Sequence, residues 1–306
     1  ILDMIKDLQP SDKMQFTLSI AISNDGTTNL EKYKTAQAAL DIVLGRGGDQ
    51  AVIHEGDKYK FFGGRTQELE KRTKVKARIV SHALEGLILE SSRVIIMGHS
   101  NSDMDCVGSS MGIYRLTKTL EKDAYIVLNP RGDNLSAFLN ELKENKEYDD
   151  VIIDSDEALD ILDDDTLLVI VDTNKKNYVE SPELLSAAKK IMVVDHHRRS
   201  PDYIENATLT FHEVYASSAS ELVTELVEYA QKEVNLTSLE AEALYSGIMM
   251  DTKTFTFKTG VRTFEAAAYL RKCGVDIIKV KKWFQSDLDT YNKISNIIGR
   301  AELVYD

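Results

Sequence analysis

Three aliphatic runs organise this chain: Val94-Ile95-Ile96-Met97, Leu167-Leu168-Val169-Ile170-Val171 and Ile191-Met192-Val193-Val194. They are continuous rather than alternating, the pattern of strands buried on both faces, as in a parallel sheet. Helix-length segments separate them, so the stretch from Arg93 to about Lys258 predicts βαβ units and an α/β fold. Residues 261–300 then read as nearly all helical, punctuated by Gly274 and Asp287.

The front of the chain differs. Residues 14–22 alternate like a strand and run into the turn signal Asn24-Asp25-Gly26. A helix is expected from Leu30 to Leu44, a turn over Gly45-Arg46-Gly47-Gly48-Asp49, and strands over Gln50–His54 and Lys58–Phe62, with Glu55-Gly56-Asp57 as the hairpin turn. The first 64 residues thus predict part of a small α+β unit. A helix from Thr66 to Glu90, with its apolar stripe at Val75, Ile79, Ala83 and Leu87, would connect it to the rest.

At 306 residues the chain accommodates one large or two ordinary domains. No run approaches the roughly 18 apolar residues of a membrane helix, and no basic-then-apolar secretory signal opens the chain. A soluble segment is expected, cut from a longer protein because it begins at Ile1. Two cysteines, Cys106 and Cys273, make no disulfide framework. A formal charge of −13 argues against a basic groove that tracks long nucleic acid, and leaves room for a small anionic substrate neutralised by metal.

The chemistry sits at the ends of the aliphatic runs. Gly98-His99-Ser100-Asn101-Ser102-Asp103-Met104-Asp105 follows the first, Asp172 the second and Asp195-His196-His197 the third. Open α/β sheets bind ligands outside the carboxyl ends of their strands, so these groups should converge. Imidazole with carboxylate suits manganese, zinc or iron, and a set of this size suggests two ions. Capping of the next helix would explain Asp103 or Asp105 but not both together with His99. Asp172 can also be read as an acid capping the turn at Thr173-Asn174. Adjacent His196 and His197 point in different directions, so one can ligate metal while the other faces substrate, with Asp195 orienting an imidazole.

Other residues carry less. Ser218 and Glu221 fit a capping box, the stronger reading of that pair, although a helix N-terminus also accepts phosphate. Arg198 and Arg199 read equally as substrate contacts or as a solvated pair. His54, His82 and His212 read as structural or surface residues. Asp251, closing a helix from Ser238, is on its own an isolated acid.

Taken together, Gly98-His99-x3-Asp103-x-Asp105, Asp172, Asp195-His196-His197 and Asp251 resemble the DHH phosphoesterase superfamily, which includes manganese pyrophosphatases, RecJ-like exonucleases and nano-RNases. That resemblance implies two manganese ions held by His99, Asp103, Asp105, Asp172, His196 and Asp251, with Asp105 and Asp172 shared. It implies His197 as the contact to substrate phosphate, catalytic together with Asp195, and leaves Arg198 and Ser218 as substrate-binding candidates.

Leu18–Ile22, Ala36–Asp41 and Gly45–Asp49 are similar to the C-terminal half of a degenerate GGDEF domain. Gly47-Gly48-Asp49-Gln50 is not the cyclase signature, which would lie upstream of Ser19. The combination resembles the GdpP-type cyclic-di-AMP phosphodiesterases of bacteria and implies hydrolysis of one 3'-5' phosphodiester bond of cyclic di-AMP to linear pApA by a metal-activated water. Its rivals are a nano-RNase acting on short oligonucleotides, a pyrophosphatase, and a cyclic-dinucleotide receptor without turnover.

The implied division is a GGDEF-like part at 1–64, a connecting helix at 65–90, a parallel-sheet DHH domain at 91–285, and a helical linker with the start of a DHHA1 domain at 286–306. Family members also carry two membrane helices and a PAS sensor before this region. The whole protein is therefore expected at the cytoplasmic face of the bacterial membrane, which it would contact through those segments alone. A homodimer is compatible, a cyclic dinucleotide is the expected partner, and a long nucleic acid is not.

Overall fold

The computed structural model describes residues 2, 18–45, 50–56, 58–63, 66–129, 135–199, 201–285, 295–296 and 299–300. Three strands of the front unit, β1 (Ile20–Ser23), β2 (Gln50–Glu55) and β3 (Lys58–Gly63), form one sheet in that order. Helix α1 (Asn29–Gly45) is the crossover between parallel β1 and β2, and β2–β3 is an antiparallel hairpin. Its core is small, centred on Ala39, Val43 and Val52. Among the described residues the first strand begins at Ile20, with Leu18 and Ser19 outside it. Residues 14–17, the turn at 46–49, Asp57 and the tail 286–294 lie outside the described residues.

Helix α2 (Thr66–Leu89) forms where expected but presents a different face. Ala77, Val80, Leu84 and Ile88 are buried, whereas Val75 and Ile79 are 61% and 62% exposed and Ala83 is also exposed. The buried stripe was masked by two polar residues within it. Ser81 donates to the Leu226 carbonyl at 2.7 Å, and Glu85 accepts the Gln231 N–H at 2.8 Å. Both serve backbone groups of a neighbouring helix end, which makes their burial tolerable.

The larger unit alternates strands and helices as the aliphatic runs predict: β4 (Arg93–Met97), α3 (Met104–Thr119), β5 (Asp123–Val127), α4 (Ser136–Glu144), β6 (Ile152–Ile153), α5 (Ser155–Ile161), β7 (Leu167–Val171), α6 (Pro182–Ala187), β8 (Lys190–Asp195) and β9 (Leu209–His212). Four helices follow: α7 (Ala219–Glu228), α8 (Ser238–Asp251), α9 (Val261–Lys272) and α10 (Ile277–Trp283). The six strands pair parallel in the order β6-β5-β4-β7-β8-β9.

Alternation within each run feeds two cores. Val94, Ile96, Val169, Val171, Met192 and Val194 face one side, while Ile95, Met97, Leu168, Ile170, Ile191 and Val193 face the other. Each such side chain contributes about 1.5–3 kcal/mol by leaving water, which anchors the strand ends. The chain reverses direction across the sheet between β4 and β7, so the crevice above their carboxyl ends is the topological switch point where α/β sheets bind ligands. Among the described residues no helix is long and apolar enough to cross a membrane.

Helices α3 and α8 approach closely through Gly108 and Gly247. A Cβ on Gly108 would lie 2.4 Å from the Ala243 carbonyl oxygen, and one on Gly247 2.2 Å from Ser220 Oγ and 2.8 Å from Asp105 Cα. Gly108→Ala should therefore lower stability by about 1–3 kcal/mol, the cost of overpacking, although alanine favours a helix by roughly 1 kcal/mol. Urea unfolding followed by circular dichroism checks the sign; a more stable variant would show that the helices yield.

Candidate metal centre

His99 follows β4 through Gly98 and is laced to a returning segment: Ser100 N–H donates to the Tyr178 carbonyl and Glu180 N–H to the Gly98 carbonyl, both at 2.9 Å. The Tyr178 ring stacks on the His99 imidazole with centroids 5.2 Å apart and planes 5° from parallel. Asp103 is the N-cap of α3, its Oδ1 accepting the N–H groups of Asp105 and Cys106. The capping role is thus real, and the same Oδ1 lies 3.8 Å from His99 Nε2.

Asp105, in the first turn of α3, is fully buried. Its two oxygens are held by the N-terminus of α7, Oδ2 by the Ala219 N–H at 2.7 Å and Oδ1 by the Ser220 N–H at 2.8 Å, a favourable end of the helix dipole for a carboxylate. Asp172 ends β7 with φ +58°, in the left-handed region that aspartate tolerates better than most residues. Its own N–H keeps the sheet going by donating to the Val194 carbonyl at 2.9 Å. The carboxylate Oδ2 meets His99 Nε2 at 3.4 Å and Oδ1 meets His196 Nε2 at 3.4 Å.

His196 Nε2 also faces Asp251 Oδ2 at 3.1 Å and Asp105 Oδ2 at 3.8 Å. Among the described residues three clusters of candidate ligands result: His99–Asp103–Asp172, Asp105–His196–Asp251 and Asp172–His196–His197. All six expected ligands are brought together. Asp172 and His196 each belong to two of these clusters and Asp105 to one.

Divalent cations fit this set. His99 Nδ1, Asp172 Oδ1 and both nitrogens of His196 are buried without a hydrogen-bond partner. Around His196 Nε2 three carboxylates therefore stand within 4 Å without making a bond to it, as ligand atoms arrange around an ion rather than around each other.

The electrostatics agree. Burial, then the charges of Asp172 and Asp251, push the Asp105 carboxyl well above its ordinary range. Burial disfavours the charged form of His99, but the carboxylates of Asp103 and Asp172 outweigh it and hold its pKa up at about 10. Burial also works against the Asp172 carboxylate, yet His196 and His99 bring it down to about 2.

His197 is half exposed, and its Nδ1 lies 2.8 Å from Asp195 Oδ1. Asp195 is buried and also accepts from the His197 N–H and from Asn174 Nδ2. Arg198 is exposed, and Arg199 lies over the Tyr203 ring at 5.2 Å.

Ser218 is fully buried, and its hydroxyl accepts the Glu221 N–H at 3.0 Å. The Glu221 carboxylate turns to Ser217 and Thr263 instead of closing the expected box. Three neighbours of the site were not placed there from the sequence: Tyr178, Asn174, read only as part of a turn, and His212, read as structural or surface, whose Nε2 meets the His197 carbonyl. For Asn174 the signal was its place just past a strand end, two residues after Asp172.

Residues 93–248 match the family described as "DHH family, N-terminal domain", and residues 1–61 match "Cyclic-di-AMP phosphodiesterase GdpP-like, GGDEF domain". The chain is 42% identical over 309 aligned residues to the cyclic-di-AMP phosphodiesterase GdpP of Bacillus subtilis (strain 168), covering 100% of this chain and 47% of that protein. It is 44% identical over 307 aligned residues to the protein of the same name from Geobacillus thermodenitrificans (strain NG80-2), covering 99% and 46%. The chain thus spans about half the length of the curated relatives it matches. Among solved structures, an exopolyphosphatase-related protein from Bacteroides fragilis shares the fold, with a TM-score of 0.62 at 18% identity over 74% of this chain and 66% of its own.

The two adjacent histidines should separate in metal content. His196→Ala is expected to lose bound metal, and His197→Ala to keep it, because His196 is buried among three carboxylates whereas His197 is half exposed. Elemental analysis after gel filtration reads this directly; equal deficits in both variants would contradict the division.

Proposed function

The chain belongs to the DHH family, and from that premise we propose that it is the metal-dependent phosphodiesterase part of a protein that hydrolyses cyclic di-AMP to linear pApA. The observation that carries the reading is Asp172, whose two oxygens face His99 on one side and His196 on the other. This is the arrangement that paired ions require of a common carboxylate. We assign His99, Asp103 and Asp172 to one manganese ion and Asp105, His196 and Asp251 to the other. When bound, such a pair supplies an activated water and neutralises phosphate charge in an in-line displacement.

The chain's own groups supply position. Asp195 fixes the His197 ring through Nδ1, leaving Nε2 for a phosphoryl oxygen on which charge develops. Asp105 is seated by the start of α7, so the depth of the second set of ligands is fixed by a helix end rather than by a flexible loop. Arg198 stands on the exposed turn beside His197, where a second anionic group of a dinucleotide would pass. Neither cysteine is needed as a nucleophile. Cys106 is buried against Gly98, and burial pushes its thiol pKa up.

A cyclic dinucleotide is favoured over the short oligonucleotides of a nano-RNase because similarity to the cyclic-di-AMP phosphodiesterases continues through the front unit, outside the parallel sheet. On this reading residues 1–64 are the GGDEF-like part, 65–90 the connecting helix, 91–285 the DHH domain and 286–306 the approach to a further domain. The whole protein works at the cytoplasmic face of the membrane.

Chromatography of products tests the reading. With manganese, cyclic di-AMP should give pApA, and chelation should stop it. Asp172→Ala should abolish turnover, and His197→Ala should lower kcat by roughly 10²–10³-fold, the range for losing one donor to a developing oxyanion. Cleavage of a short oligoribonucleotide with cyclic di-AMP left intact would overturn the substrate assignment.

A further inference from the structure

The turn that carries Asp195, His196 and His197 is gripped from the edge of the sheet. Strand β9 lies beside β8 with His212 opposite Asp195. The next residue, Glu213, donates its N–H to the Asp195 carbonyl at 3.1 Å. His212 Nε2 lies 2.5 Å from the His197 carbonyl oxygen, so this nitrogen carries the proton and donates. The two contacts bracket His196, one on each side.

The same two residues are held from outside by α2. Lys76 Nζ donates to the His212 carbonyl at 3.3 Å and forms an ion pair with the Glu213 carboxylate. It also lies over the Phe211 ring at 5.8 Å. Lys76 is half exposed, and exposed pairs contribute only about 0–1 kcal/mol to stability. Holding the fold together is therefore a weak reason for this contact. Its consequence is positional, because two of the residues it touches, His212 and Glu213, hydrogen-bond to the carbonyls of His197 and Asp195.

We propose that His212 is a positioning residue for His197, and that Lys76 holds it there, so that the connecting helix sets how the imidazole of His197 is presented to substrate. The inference rests on the role given to His197 above. Neither His212 nor Lys76 belongs to any of the candidate metal clusters. Through Lys76, the helix that follows the front unit reaches the phosphate-contacting side chain without passing through the metal ligands.

The test uses the full chain with manganese. His212→Leu should lower kcat for cyclic di-AMP about tenfold, the lower end for losing an outer support of a site, with KM and the bound metal per chain unchanged. His212→Gln, whose amide can donate to the same carbonyl, should recover most of the loss, and Lys76→Met should lower kcat without changing metal content. A kcat for His212→Leu within about twofold of the parent, or a glutamine variant no better than leucine, overturns the proposal. If the parent leaves cyclic di-AMP intact but cleaves bis(4-nitrophenyl) phosphate, the substrate assignment alone fails, and the same variants are compared on that diester.

A readout independent of turnover is nuclear magnetic resonance of the zinc-loaded, 15N-histidine-labelled chain. The His212 Nε2–H should be a downfield, slowly exchanging resonance that weakens in Lys76→Met. Its absence from the parent, or its persistence unchanged in the variant, overturns the proposal.

Discussion

Everything in the larger unit depends on burying several carboxylates at one point. Asp105 is fully enclosed and Asp172 nearly so, and both share a crevice with Asp251. Isolated buried charges cost far more than a fold of this size can spare, so such groups must be neutralised, paired or bound to metal. Here the histidines provide part of the compensation and the N-terminus of α7 another part. Asp172 Oδ1 and His196 Nε2, left without a hydrogen-bond partner, are atoms a cation would take.

That constraint explains features that look unrelated. The unbroken aliphatic strands anchor the ligands so that the carboxylates cannot swing apart to relieve their repulsion. Gly108 and Gly247 let α3 and α8 meet closely enough to bring Asp105 and Asp251 to the same imidazole. The left-handed backbone at Asp172 is tolerated because the carboxylate has to serve two sides. Strain of this sort costs about 1–3 kcal/mol and persists where surroundings over-determine it.

The parallel sheet was legible because residues buried on both faces leave a continuous apolar run, and its three central strands end in the residues that converge. Asp251 was not legible by itself, since an acid closing a helix is ordinary; only the family pattern picked it out. The face of α2 was misread because Ser81 and Glu85 lie buried on it to serve backbone groups elsewhere. Strand β9 is four residues long and mixes polar with apolar positions, so His212 carried no visible partner until the sheet placed it opposite Asp195. Ser218 caps α7, the stronger of the two readings its spacing to Glu221 offered. Local capping signals and buried strands can be read from a sequence; which face of a helix is covered, and which short strand completes an edge, are decided by the tertiary partners.

Anomalous diffraction at the manganese edge, on crystals of the chain grown with that metal, tests the central claim most directly. Two peaks are expected, one among His99, Asp103 and Asp172 and one among Asp105, His196 and Asp251, with Asp172 reaching both. A single peak, or one that takes His197 as a ligand in place of His196, would contradict both the paired-ion centre and the separate role of the second histidine.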